Sequence, residues 1–575
     1  MFPTTYTLSQ EYPHSEFLQI KIVFQNTNPK KQESEVQLPA WRPGRYQLGN
    51  FSKNIRSFSA LDISNKPLTY KKLGKHSWLI DTMGCTTFIV SYEVYTSIVD
   101  GGSTYVDEEV WYLNFINCMM YQPERIEEPC QVQLKIPNKW TIASSLVHNE
   151  NVLSTSSFYE LVDSPVLAAK EIAHLGYTVN KVSFHLWFHG DIEIGNQKQL
   201  IQDFHKLTEE QLTTMGAFET SDYHFLFQVL EGKAYHGVEH LSSTCIVLGP
   251  AKEFNSVALY DNLLGISSHE LFHYWNIIRI RPQEMFPYNF KEENYFPTGF
   301  VAEGVTTYYG DLFLVRSGVR SLDWYLQELN KLFKRHFENY GRHYYSVADS
   351  SMDLWVDGYE PGTPNRKVSI YVKGAIIALM LDLEIILNTR AERNLDDVMR
   401  ILWSDFYKKG KGYSQANYLE VVEQVTTLKL DRYEQAYING TTPLEQRLGY
   451  LLNSFGFQLA KAQNISLLAH YFGLGATIEA KELKVIATAP GSPAHKALRI
   501  GDSIISINQS TAMEIDAITL ESSDEIEITF WRKGKLRCLH LPFDRSSTYY
   551  GRYEVTKSIT INDEQLMNRK KWLKQ

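Results

Sequence analysis

ISSHELFHYWNII, residues 266–278, is the stretch that organises the rest of the chain. Its centre reads His269-Glu270-Leu271-Phe272-His273, and the apolar spacing around it predicts a helix over 266–278. On a helix, positions i and i+4 share a face, so both imidazoles can reach one ion. Glu270 sits about 100° round the helix from His269, placed to activate water at that ion without ligating it. The bland alternative is a helix with two satisfied histidines. Three protein ligands and one open position would instead make a catalytic zinc site, with one Zn2+ per chain.

The third ligand has to come from elsewhere. Glu303 lies downstream in FVAEGVTTYYGDL (300–312), whose pattern predicts a second helix over 300–315. A carboxylate from a second helix completes a His2Glu set. Glu292, Glu293 and Asp311 are the other candidates. Thr307 stands four residues after Glu303, where an acid orients a ligating histidine in some such sites. That support must therefore come from Asp311 or from the Trp275–Asn276 pair.

Outward from this centre the texture changes twice. Residues 1–165 read as an N-terminal β-sandwich or saddle, with strands over 17–24, 87–95 and 132–137, punctuated by PAWRPGRY (39–46). Residues 166–458 turn helical, with helices over 203–214, 369–387 and 394–407 besides the two above. This is an α+β catalytic core continuing into a helical bundle. Residues 459–545 return to short strands, and 546–575 read as a polar C-terminal tail ending in NRKKWLKQ. The fold class is multidomain α+β.

The chain has 575 residues, 43% of them hydrophobic and 21% charged, which is enough apolar material for several cores and excludes disorder. A net charge of −9 without runs of like charge excludes a nucleic-acid footprint and a polybasic membrane anchor. Five scattered cysteines form no CxxC pair, which favours free thiols in a reducing compartment. The first residues show no signal-peptide pattern and no stretch is long enough to span a membrane, so a cytoplasmic location is expected.

HELFHYWNIIRIRP together with FVAEGVTTYYGDL resembles the glycyl aminopeptidase family, PDZ-bearing gluzincins with a thermolysin-like, aminopeptidase N-like catalytic domain. PAWRPGRY is similar to that family's proline-tryptophan signature. FGLG (472–475) and APGSPAHKALRIGDSIISIN are similar to a PDZ domain over 459–545. The resemblance implies a zinc metallopeptidase acting on peptides with a free amino terminus, with Gly or Ala preferred there. YHGVE (235–239) resembles the G-x-x-E segment whose glutamate, here Glu239, receives the α-amino group. His236 replaces one of that segment's two glycines. IYVKGA (370–375) resembles the Y-x-K-G-A segment, which implies that Tyr371 donates to the oxyanion. In the PDZ segment, Phe472, Gly473, Leu474 and Gly475 would form the loop that catches a peptide or protein C-terminus. The alternatives are an endopeptidase or broader peptidase, and a non-catalytic PDZ-containing binding protein on a retired peptidase fold.

Overall fold

The computed structural model describes every residue except 1–3, 26–30, 361, 463, 465, 480, 481, 513–524, 543–545 and 575. The expected limit at 545 falls outside the described residues. The N-terminal part is β-rich. Its largest sheet has seven strands in the order Val147–Asn149, Val152–Thr155, Cys130–Leu134, Thr4–Ser9, Phe17–Gln25, Thr87–Tyr95 and Ile55–Asp62. Phe17–Gln25 alternates buried and half-buried residues along its length, with only Lys21 exposed, as one face covers the core. Smaller sheets of four and three strands pack beside it.

The middle of the chain builds a mixed sheet from β1 (Ala173–Val179), β2 (Val182–His189), β3 (Asp222–Val229), β4 (Ala234–Glu239) and β5 (Ser243–Gly249), in the spatial order β1-β2-β3-β5-β4. β2, β3 and β5 run parallel, while β4 pairs antiparallel with β5 and forms the edge. α1 (Gln197–Met215) links β2 to β3, and α2 (Val257–Phe272), α3 (Thr306–Arg316) and α4 (Ile370–Asn388) follow the sheet. α4 is apolar on nearly every side and lies buried at the centre of the helical part, as a helix without a polar face must. No helix among the described residues is long and apolar enough to cross a membrane.

The helix expected over 266–278 is displaced. α2 begins at Val257, where the Ser256 side chain accepts from Leu259 N at 3.2 Å, and it ends at Phe272. Two tertiary anchors stop it. Asn276 Nδ2 donates to Val301 O (2.9 Å), Ala302 O (3.0 Å) and Thr306 Oγ1 (2.9 Å), and Arg279 Nη1 donates to Leu241 O at 3.1 Å. Ile277 takes a φ of 83°, which turns the chain away from the helix axis.

The last residues also differ from the expected polar tail. Arg552–Lys557 is a strand paired antiparallel with Phe457–Ala462, and Asp563–Leu573 is a helix opened by an Asn562/Gln565 capping box. Trp572 is fully buried against Tyr325, Phe455 and Phe457. Its Nε1 donates to Tyr308 Oη at 2.8 Å, and its carbonyl accepts from Arg316 Nε at 2.8 Å. The helix is polar on average because only Asn568, Trp572 and Leu573 face inward. A sequence average hides so narrow an apolar contact.

Candidate active site

α2 delivers His269, Glu270 and the adjoining His273 to one buried cluster. His269 Nε2 lies 3.0 Å from His273 Nε2, and Glu303 Oε2 lies 3.4 Å from His273 Nε2 and 4.0 Å from His269 Nε2. These three donor atoms stand within 4.8 Å of one another, and the set can hold a metal ion. Glu239, Glu270 and His273 form a second such group, so five side chains converge on one spot.

Glu303 sits in a wide π-helical turn, Phe300–Val305, that opens directly into α3. Such turns insert one extra residue per turn and re-aim a side chain. A close glycine contact fixes this turn against α4: a Cβ on Gly304 would lie 2.5 Å from Gly374 Cα. Asn276 supplies the orientation that an acid at position 307 would have given. Its backbone carbonyl lies 3.0 Å from His273 Nδ1, which makes Nδ1 a donor and turns Nε2 toward Glu303. Asp311 makes no bond to either histidine among the described residues.

The electrostatics match a site built around a cation. Burial, then the neighbouring His273 charge, holds the His269 imidazole well below its usual range. Burial also opposes charge on His273, but Glu239 and Glu303 outweigh it and lift that imidazole to about 10. Two rings this close share one cation. Glu270 is 5% exposed, and burial, reinforced by Glu239 and Glu303 against the pull of His273, pushes its carboxyl up to about 8. Glu239, at the end of edge strand β4, is raised mainly by burial. Glu270 Oε2 and Glu239 Oε1 are both buried with no hydrogen-bond partner among the described residues. Buried polar atoms left unmatched call for a ligand.

Tyr371 occupies the first turn of α4, where the Ser369 side chain accepts from Val372 N at 3.3 Å. Burial and the nearby Glu303 charge hold its phenol well above 10, so it remains a donor, and it is hydrogen-bonded to Tyr359. Tyr359 Oη in turn accepts from Tyr46 N at 3.3 Å.

Sequence reasoning missed Tyr46. It is 1% exposed, and its Oη donates to Glu303 Oε1 at 3.0 Å. It belongs to the 39–46 segment, whose Trp41 Nε1 donates to Asn289 O at 2.8 Å. In the same segment Gly44, at φ 76°, leaves room for Glu239: a Cβ there would stand 2.7 Å from Oε2. The β-rich part therefore completes the site. The available signal was the density of Trp, Tyr, Pro and Gly in PAWRPGRY, which marks a rigid segment but not its target.

Phe472, Gly473, Leu474 and Gly475 lie apart from this cluster. Phe472 and Leu474 belong to a separate small core with Val485 and Ile504. Gly473, at φ 64°, ends the helix Leu467–Phe472 and donates its N–H to Ala469 O and Leu468 O. That amide is already engaged, and Leu474 and Gly475 continue into a strand paired with Glu482–Thr488.

Residues 5–170 match the family model for the Peptidase M61 N-terminal domain, residues 262–377 match the model for M61 glycyl aminopeptidase, and residues 449–525 match a PDZ domain. Among solved structures, the chain is similar to an aminopeptidase N family protein from Idiomarina loihiensis. The two share 25% identity over 99% of this chain and 100% of that one, with a TM-score of 0.89. No curated protein matches the chain.

Proposed function

The chain belongs to the M61 glycyl aminopeptidase family, and on that premise we propose that it is a zinc-dependent aminopeptidase removing a small N-terminal residue, Gly or Ala, from peptides. One observation carries the reading. The donor atoms of His269, His273 and Glu303 converge in a cluster that also holds two buried carboxylates, Glu270 and Glu239, each with an oxygen unmatched among the described residues.

Two imidazoles and one carboxylate are a common catalytic zinc set, and the three residues here would hold the ion. When bound, zinc supplies Lewis acidity that polarises the scissile carbonyl and acidifies water. Glu270 takes a proton from the attacking water and passes it to the leaving amine. Its buried setting makes it a stronger base than an exposed glutamate. Tyr371 donates to the developing oxyanion, and the raised phenol keeps its proton for that purpose. Glu239 receives the substrate ammonium, which would satisfy Oε1. The peptide adds along the free edge of β4.

Gly44 supports an exopeptidase over an endopeptidase. The 39–46 segment stands directly against Glu239, where the chain of an internal substrate would have to continue. The PDZ segment would take a peptide or protein C-terminus as a second ligand.

The direct test is a panel of aminoacyl fluorogenic substrates, free and N-acetylated, assayed with and without a chelator. Hydrolysis of free Gly and Ala substrates that stops on chelation and returns with zinc is expected. Chelator-resistant turnover, or equal cleavage of acetylated substrates, overturns the reading. Within it, Glu239→Ala should lower kcat/KM on free-amine substrates by about 10- to 100-fold, the worth of a charge-assisted hydrogen bond. Equal losses on acetylated substrates would remove Glu239 from the amine site. Tyr46→Phe should weaken zinc binding by about 10- to 100-fold, because a partner of a ligating carboxylate is lost. Competition against a chromophoric chelator reads this, and an unchanged affinity would show that Tyr46 only packs.

A further inference from the structure

The same segment that reaches Glu239 and Glu303 also lines a cleft of about 420 Å3 between residues 42–54 and the 94–104 loop. Three cations border it: Arg42, Arg45 and Lys53. Among the described residues none of the three forms an ion pair. Arg42 is only 6% exposed, yet among the described residues its guanidinium makes one hydrogen bond, a long 3.3 Å contact from Nη1 to Pro43 O. Arg45 Nε donates to Gln47 Oε1 at 3.1 Å, and its guanidinium lies 4.8 Å from the Tyr359 ring centroid.

The acids on the wall are turned elsewhere. Asp100 Oδ1 accepts from Gly102 N at 2.8 Å, and Glu360 Oε1 accepts from Gln47 Nε2 at 3.2 Å. The guanidinium of Arg42 lies flat on Gly102, where a Cβ would come within 2.0 Å of Cζ. Asn117 Nδ2 holds Gly102 O at 2.7 Å, while Asn117 Oδ1, also at the cleft, is buried without a partner. The Arg42 side chain is enclosed while its Nε and Nη2 have no hydrogen-bond partner among the described residues, so these donors are available to an anion in the cleft.

We propose that this cleft is a carboxylate-binding subsite, in which Arg42 and Arg45 hold an anionic group of a peptide whose amino end lies at Glu239. The proposal rests on the aminopeptidase reading for the position of that amino end. Arg42 is two residues from Gly44, a span of about 7 Å, so the cleft begins within a residue or two of the amine site. On its other side, Gly101 N donates to His236 Nδ1 at 3.1 Å, which joins the cleft wall to edge strand β4. Guanidinium forks match carboxylates in a paired, in-plane geometry, which favours this anion. The carboxylate can come from an acidic side chain or from the C-terminus of a short peptide.

Three peptide pairs separate the sources: Gly-Ala against Gly-Ala-amide, Gly-Asp-amide against Gly-Asn-amide, and Asp-Ala-amide against Asn-Ala-amide. Binding is measured by calorimetry on zinc-loaded Glu270→Gln, and turnover on the wild-type chain. In at least one pair the carboxylate member should bind about 10- to 100-fold more tightly. That ratio should fall to near one in Arg42→Gln and shrink in Arg45→Gln, and the pair showing it names the source. The subsite is overturned if no pair discriminates, or if the ratio survives both substitutions. If Arg42→Gln unfolds, Arg45→Gln alone decides. Hydrolysis without discrimination sinks the subsite and spares the aminopeptidase reading. Discrimination in binding without hydrolysis does the reverse.

Discussion

Glu270→Gln is expected to lower kcat by about 10²- to 10⁴-fold, the usual contribution of a positioned general base, while zinc stays bound. Gln has the same shape but cannot accept the proton of the attacking water. Shape matters here, because Gly237 of β4 is pressed against this side chain and a Cβ there would come within 2.1 Å of Oε1. A larger or branched residue would push the edge strand away. Thermal stability should hold or rise, since the substitution removes a buried carboxylate whose Oε2 has no partner. Metal content per chain, kcat and Tm on the same preparation check all three parts. Retained turnover would take the base role from Glu270, and lost zinc would make it a ligand.

Trp572→Ala should destabilise the chain by about 3–5 kcal/mol, the typical loss for a fully buried aromatic. The indole fills a space bounded by Tyr325, Phe455 and Phe457, and its removal also strips Tyr308 Oη of a donor. Tyr308 belongs to a buried group in which Arg316 Nη1 bonds both oxygens of Asp396, at 2.9 and 3.1 Å. Tyr309 Oη also donates to Asp396, and the Tyr309 ring packs on Phe272 of α2. The cavity therefore opens beside the element that carries the histidines. Urea unfolding followed by tryptophan fluorescence and by loss of zinc gives the comparison. A shift worth less than about 1 kcal/mol would show that the C-terminal helix does not stay docked.

The features legible in the sequence were those governed by local periodicity. The strand at 87–95 has the limits its alternation predicts, and the long apolar run at 369–387 became α4 with each end shifted by one residue. His269, His273 and Glu303 were legible because i, i+4 spacing fixes two of them on one face and a helical pattern offered the third. α2 was read too short at its start because Asp261, Asn262 and Gly265 interrupt its apolar pattern, although Ser256 caps it. Its end was read too late because the side chains that stop it bond to partners far along the chain. Tyr46 shows the limit most clearly: it meets Glu303 across 257 residues, and no periodicity carries that distance. Glu239 and Tyr371 were suggested by resemblance; Glu239 lies with Glu270 and His273, and Tyr371 lies near Glu303 and Tyr359.

Ala462 and Arg552 face each other at the end of the ladder formed by Phe457–Ala462 and Arg552–Lys557. What lies between them, most of the PDZ segment included, is the content of one oversized hairpin loop. Both ends of that loop leave from adjacent points, so the whole insert can be lifted out and the gap closed with a tight turn, leaving the C-terminal helix in place. Cutting the chain at the same point would remove that helix as well. Such a seam is where a binding module can be gained, lost or exchanged while the catalytic body keeps its shape.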